Sequence, residues 1–504
     1  NASSRGLGDV YKRQGLDVGS SSVKAALVEA KSGKSILSVH EPKNEMSISS
    51  LKNDWAEQDP NVWWKHTCTA IKRVCKESNI DPKKIISIGI SYQMHGLVIV
   101  DKNGEPLRDS IIWCDSRAVS IGNDAYEKLG KDKCMSHLLN SPGNFTASKL
   151  KWVKENEPEV YEKIHKFMLP GDFIAYKLTG EINTTRSGLS EGIIWDYKNN
   201  ETANWLLDFY GIDRNLTPDL VDNFTNQGAT NLKSSDETGL NIGIPVSYRA
   251  GDQPNNALAL NVFDNGEVAA SGGTSGVIYS ITNDINSKEP SRINHFAHVN
   301  YNDKNKSIGK LLCINGAGIQ YRWLRNQSIG KSYEKMNEAA SSIPVGSEGI
   351  SVIPFGNGAE RMLNNKNIGT HLCNINLNQH SHGHLYRSSL EGIAFSFMFG
   401  MEILKNDNAL INVVRAGNDN LFRSKIFANT VATLIGHEIE IYNTTGAFGA
   451  ARASGVMNDN LDSFRKKITK NDHVMTFLPL NNTSEYEDAY SRWKEDLQRI
   501  LKNK

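Results

Sequence analysis

Gly15-Leu16-Asp17-Val18-Gly19-Ser20-Ser21-Ser22-Val23-Lys24-Ala25-Ala26-Leu27-Val28 is the stretch that decides how this chain folds. Its pattern predicts a strand, a tight turn at Gly19–Ser22 and a second strand returning through Val23, Ala25 and Leu27. Asp17 stands just before the turn and Lys24 just after it. A turn of glycine and small hydroxyl residues leaves backbone N–H groups able to face an anion, and the hydroxyls of Ser20 and Ser21 add donors. A carboxylate beside such a turn repels phosphate unless Mg2+ lies between them. The pair therefore points to phosphate plus metal, with Asp17 on the metal side. An ordinary hairpin with a polar tip has the same local pattern, and this stretch alone does not separate the two.

An echo half a chain away tips the balance. Gly266 to Ile281 again reads as strand, glycine-hydroxyl turn and β-branched strand, with Gly273-Thr274-Ser275-Gly276-Val277 parallel to Gly19-Ser20-Ser21-Ser22-Val23. Two copies suggest two related α/β lobes closing on one polyphosphate.

The totals agree with this and exclude other classes. A chain of 504 residues has room for two domains, each with a large core. Lys and Arg number 57 against 56 Asp and Glu, which gives no pull toward nucleic acid or an anionic membrane. No apolar run reaches the length of a membrane span. Cys68, Cys75, Cys114, Cys134, Cys313 and Cys373 are scattered without C-x-x-C spacing, which reads as reduced thiols in a cytoplasmic protein. A homodimer is compatible with the sequence and not required by it.

Residues 1–14 read as a non-native or disordered leader, polar and glycine-broken, ending in Lys12-Arg13-Gln14 where the strand carrying Asp17 wants apolar residues. It resembles read-through of vector or adapter sequence. Further on, Asp59 and Pro60 are set to start a helix whose inner face is Trp63, Thr67, Ala70, Ile71 and Val74. A buried strand from Ile85 to Ser91 runs into Tyr92-Gln93-Met94-His95-Gly96, and a polar cluster at a strand end is where α/β folds place ligands. Ile111-Ile112-Trp113-Cys114-Asp115-Ser116-Arg117 repeats that pattern. Ala250-Gly251-Asp252-Gln253 ends another apolar approach, and the lobe boundary is expected just before it, with lobes at 15–248 and 249–504. His380-Ser381-His382-Gly383-His384 looks like a metal tract but directly precedes a long helix, so an ordinary polar loop is the stronger reading. Asp252, between a glycine and Gln253, is the best candidate for a base.

Taken together, Gly-Leu-Asp-Val-Gly-Ser-Ser-Ser-Val-Lys, Glu-Gln-Asp-Pro-x-x-Trp-Trp, Gln-Met-His-Gly, Ile-Trp-Cys-Asp-Ser-Arg, Ala-Gly-Asp-Gln and Gly-Gly-Thr-Ser-Gly occur in order from Gly15 onward. In this the chain resembles the FGGY carbohydrate kinases, and Gln93–Gly96 resembles the sugar-site loop of members acting on D-xylulose. The resemblance implies two actin-like, ribonuclease H-like lobes with a nucleotide cleft between them, the first lobe binding sugar and the second nucleotide. It implies ATP-dependent phosphorylation of a ketopentose, with ATP and Mg2+ as cofactors and Asp252 as catalytic base. Asp17 would be the metal-side acid. Gln93, Met94, His95, Gly96, Trp113, Asp252 and Gln253 would face the sugar. Gly19, Ser20, Ser21 and Lys24, with Gly273 and Thr274, would contact phosphates, and Gly417 and Asn418 would border the adenosine. A sister kinase for another ketose, polyol or sugar acid is the runner-up. An actin- or chaperone-like ATPase switch is the rival of another class.

Three departures bear on the details. The family often has Gly-Asp-Asn where this chain has Gly251-Asp252-Gln253. A Gly-Glu-Arg-Thr-Pro stretch is replaced by Gly358-Ala359-Glu360-Arg361-Met362, and the glycine-rich adenosine turn by Arg415-Ala416-Gly417-Asn418.

Overall fold

The expected hairpin forms. Lys12–Val18 (β1) and Val23–Glu29 (β2) pair antiparallel, with Asp17 opposite Lys24 and Val18 opposite Val23 across the turn. The computed structural model describes residues 11–328, 330, 332–458 and 460–503. They divide into two compact α/β units: residues up to 263 with 296–308 and 444–472, and residues 264–295, 309–443 and 473 onward.

In the first unit, Ser35–Glu41 (β3), Ile85–Tyr92 (β4) and Val246–Gly251 (β5) complete a sheet of order β5-β4-β1-β2-β3. The first three strands run antiparallel in sequence, while β4 lies parallel to β1 and β5 parallel to β4. The parallel strand ends therefore place Val18, Tyr92 and Gly251 side by side, and the polar segments that follow them start together. The helix Pro60–Glu77 covers one face, with Asp59 accepting from the Asn61 N–H as its cap and Trp63, Thr67, Ala70, Ile71 and Val74 buried.

The second unit repeats the topology. Glu267–Gly272 (β6) and Gly276–Thr282 (β7) form the antiparallel hairpin, with Gly272 opposite Gly276. Its sheet includes, in order, Ile308–Ile314 (β8), β7, β6, Val413–Gly417 (β9), Ile439–Tyr442 (β10) and His473–Phe477 (β11), with β6, β9 and β10 parallel. The helix His382–Asn406 is the centre of this core and buries Leu390, Ile393, Ala394, Phe397, Met401 and Leu404, the face its periodicity predicts.

Two expectations need correction. Residues 1–10 of the expected leader lie outside the described residues, but Lys12, Arg13 and Gln14 are the first residues of β1, opposite Glu29, Val28 and Leu27. Strand pairing uses main-chain groups that any residue but proline supplies, so β2 and β4 recruit this segment whatever its side chains. The misfit appears in the side chains: the Gln14 amide is fully buried and has no hydrogen-bond partner among the described residues. An unsatisfied buried amide costs about 1–3 kcal/mol. Gln14→Leu is expected to raise the unfolding free energy by that order, read as a higher urea midpoint at an unchanged m value, and a lowered midpoint would show that the amide is satisfied.

The second correction concerns the lobes. The compact units divide after Phe263 instead of at 248/249, and 444–472 returns to the first unit. The helix Gly446–Ala453 explains the return. A Cβ on Gly15 would stand 1.9 Å from the Ala447 carbonyl oxygen, and one on Gly89 would stand 1.9 Å from that of Ala450. Only glycine at both strand positions lets this small-residue helix lie directly on β1 and β4.

Candidate active site

The Gly19–Ser22 turn is tightened by the Gly19 N–H donating to the Ser22 carbonyl at 3.0 Å. The Ser20 carbonyl accepts from Gln58 Nε2 at 2.7 Å and the Ser21 carbonyl from the Met46 N–H at 2.9 Å. With those acceptors occupied, the turn presents mainly donors, which suits phosphate. Asp17 Oδ1 accepts from the Ser91 hydroxyl at 3.0 Å, and Oδ2 lies 3.4 Å from the half-exposed Lys24 ammonium. Among the described residues no group of three or more His, Cys, Asp and Glu side chains stands ready for a metal. Asp17 offers a cation one carboxylate, a donor that fits Mg2+ carried largely by phosphates.

Asp252 opens the helix Asp252–Ala259 at the end of β5 and is partly buried. Burial, and then the negative charge of Asp17, push its carboxyl up to about 7, against the pull of the Gln253 N–H and side chain and of Lys24. A carboxyl poised near neutrality can hold or give up a proton at working pH, as a general base must. Gln253 is therefore placed on Asp252 itself.

The loop after β4 carries the other expected residues. The Gln93 N–H donates to the Val18 carbonyl at 2.9 Å, while its buried amide side chain has no hydrogen-bond partner among the described residues. Met94 is buried, and a Cβ added to Gly251 would stand 2.6 Å from its Cγ. Gly96 packs against Pro170. His95 has φ 63°, left-handed backbone that a residue with a side chain adopts at a cost of about 1 kcal/mol or more. Its Nδ1 donates to the Glu191 carbonyl at 2.9 Å, so a neutral ring would carry its acceptor at Nε2. The rings of Phe145 and Phe296 flank it at 4.8 and 5.2 Å. Trp113 is 54% exposed and its indole N–H reaches the Ser20 hydroxyl at 3.3 Å. Asp115 holds the segment after it, accepting from the Ala56 N–H and pairing with Arg117.

Sequence reasoning missed two residues here. Glu191 ends the helix Arg186–Glu191 with a wholly buried carboxyl beside Tyr92 and Met94, and burial raises its pKa well above the usual range. Lys149 is wholly buried as well. The signal for Lys149 was legible: it shares a helical face with Thr146, Leu150 and Val153.

The second unit holds its own cavity of about 410 Å3, lined in part by Gly273, Thr274, Tyr321, Arg322, Asn420 and Arg423. The Gly273 and Thr274 carbonyls accept from the N–H groups of Gly318 and Ile319, at the start of the helix Gly318–Gln327. Tyr333 also lines the cavity and stacks on Tyr321 at 5.6 Å. Two arginines and flat aromatic walls suit a nucleotide. Gly417 ends β9, Asn418 follows it, and neither lines this cavity; the turn Asn420–Arg423 just beyond them does.

Residues 13–259 match the N-terminal domain of the FGGY family of carbohydrate kinases. A xylulose kinase of Staphylococcus xylosus is 26% identical over 491 residues, covering 95% of this chain and 98% of that protein. The crystal structure of a xylulose kinase from Rhodospirillum rubrum superposes with a TM-score of 0.86 at 21% identity, covering 97% and 99% of the two chains. A gluconate kinase from Lactobacillus acidophilus fits about as well, with a TM-score of 0.85 at 20% identity over 97% and 98%. Fold alone therefore does not choose the acceptor.

Proposed function

We propose, for a chain that belongs to the FGGY family of carbohydrate kinases, that the acceptor is the ketopentose D-xylulose and the product D-xylulose 5-phosphate. As a sugar kinase of this family it draws the phosphoryl group from ATP. The observation that carries the mechanism is Asp252, a partly buried carboxyl held near neutrality at the start of a helix and in the field of Asp17 and Lys24.

In the proposed step, an Asp252 carboxylate oxygen takes the proton of the terminal sugar hydroxyl. The hydroxyl oxygen attacks the γ-phosphorus, and the bond to the bridging oxygen breaks with its electron pair leaving on ADP. The Gly19–Ser21 turn, through the donors of Ser20 and Ser21, and the Lys24 ammonium face the phosphates. Asp17 would hold Mg2+, which when bound neutralises charge on the phosphoryl oxygens. Gln93, Met94, His95 and Gly96 contact the sugar, with Trp113 at its rim. The second-unit cavity with Gly273 and Thr274 takes the nucleotide. ATP as donor and cysteines scattered without C-x-x-C spacing suit the cytoplasm.

Relatives named xylulose kinase that align over nearly the whole chain support the acceptor. A second reading, a sister kinase for another ketose, polyol or sugar acid, is favoured by Gln253 in place of the asparagine common in the family. Coupled ADP release across ketoses, polyols and sugar acids decides between them. D-xylulose should give the highest kcat/KM, and faster turnover of any other acceptor would replace this assignment.

His95→Ala tests the sugar side separately. Losing an Nε2 contact to a hydroxyl should raise KM for the sugar by about tenfold while KM for ATP changes less than about twofold. Equal losses for both would make His95 a packing residue.

A further inference from the structure

Lys149 has no part in the mechanism above, yet it lies wholly buried within the first unit. It sits in the helix Thr146–Asn156 and points inward with Thr146, Leu150 and Val153. Its Nζ donates to the His95 carbonyl at 2.8 Å and to the Ile112 carbonyl at 3.0 Å. These carbonyls belong to different segments: the first lies inside Gln93–Gly96, and the second immediately precedes Trp113.

A cation in such a place is costly to keep. Burial draws its pKa down to about 7, opposed mainly by the negative side chain of Asp115, with Glu191 and Cys114 adding to that and Arg117 acting against it. A methionine would fill nearly the same volume without that cost. What an apolar side chain cannot do is hold two main-chain carbonyls from separate loops at one point. The His95 carbonyl is where such a hold is needed, because the left-handed φ of 63° must be maintained against relaxation. The ring of the same residue is tied on its other side to the Glu191 carbonyl. Its backbone and its imidazole are thus fixed by different helices.

We propose that Lys149 is a positioning residue of the sugar site, whose side chain ties the His95 and Ile112 carbonyls together. It thereby sets the spacing between the Gln93–Gly96 loop and Trp113, and with it the affinity for the sugar. This rests on the assignment of those two segments to the sugar. Among the described residues the Lys149 ammonium bonds to the His95 and Ile112 carbonyls and not to the turn at Gly19–Ser22. Its removal should therefore separate the two substrates.

The test is steady-state kinetics on the full chain with Lys149→Met and Lys149→Gln, using whichever acceptor the wild-type chain phosphorylates fastest, alongside thermal melts. Lys149→Met should raise KM for the sugar at least tenfold with KM for ATP within twofold. Lys149→Gln, whose shorter amide reaches one carbonyl, should fall between Met and wild type. A folded variant with an unchanged sugar KM overturns the proposal, as do equal rises for both substrates. Failure of both variants to fold would also overturn it, assigning Lys149 to stability alone. A wild-type chain that prefers an acceptor other than D-xylulose overturns that assignment and leaves the Lys149 comparison standing.

Discussion

Asp252→Asn is expected to lose at least about a hundredfold in kcat while both substrates still bind, because the amide keeps the shape but cannot accept the proton. The same substitution should make the protein more stable at alkaline pH. The reasoning is one of linkage. The folded chain holds the Asp252 carboxyl up at about 7, from an ordinary value of 3.8, so the native state binds this proton more tightly than the unfolded chain does. The carboxyl is neutral in both states below pH 3.8. Between 3.8 and about 7 the unfolded chain ionises first and the native state loses ground, and above about 7 the penalty is complete. Asparagine carries no such penalty. Melts at pH 8 should therefore favour the variant, by an amount on the order of a few kcal/mol, with little difference at pH 4. In the wild type, kcat/KM for the sugar should rise with pH and level off above about 7, as the base loses its proton. A variant that turns over at near wild-type rate, or that melts identically at both pH values, would remove Asp252 from this role.

Asp17→Asn should fail differently. Its carboxylate lies between the Ser91 hydroxyl and the Lys24 ammonium, and its proposed task is to hold Mg2+ against the phosphates. Turnover should drop by about a hundredfold, with the Mg2+ needed for half-maximal rate raised about tenfold and Mn2+ restoring part of the loss. A second readout does not depend on the metal. The Asp17 charge helps to hold the Asp252 proton, so its removal should move the rise in kcat/KM to lower pH. An unchanged Mg2+ requirement together with an unmoved pH profile would leave Asp17 as a partner of Lys24 in the hairpin. Sugar binding measured without nucleotide should be untouched in this variant.

What could be read from the residues in order was what local pattern controls. The two glycine-hydroxyl hairpins and the Asp59-capped helix are each written in short stretches. So is the alignment of polar segments at strand ends, because period and turn chemistry act over a few residues. The inner face of His382–Asn406 was legible for the same reason. Asp17, His95 and Asp252 could be singled out as candidates because residue type at a strand end is local information.

Tertiary structure decided the rest. Lys12–Gln14 looked unfit for a buried strand, yet neighbouring main chains draw them in, since ladder hydrogen bonds do not consult side chains. The segment 444–472 returns to the first unit because Gly15 and Gly89 leave room for the helix Gly446–Ala453, a fit between residues hundreds of positions apart. Glu191 and Lys149 converge on His95 from separate helices, and no spacing in the sequence announces it. Hydrophobic period and turn type fix which elements form. Which buried acid or base meets which loop is fixed only when those elements pack, because burial and proximity are what give such groups their altered proton affinity and their grip on the backbone.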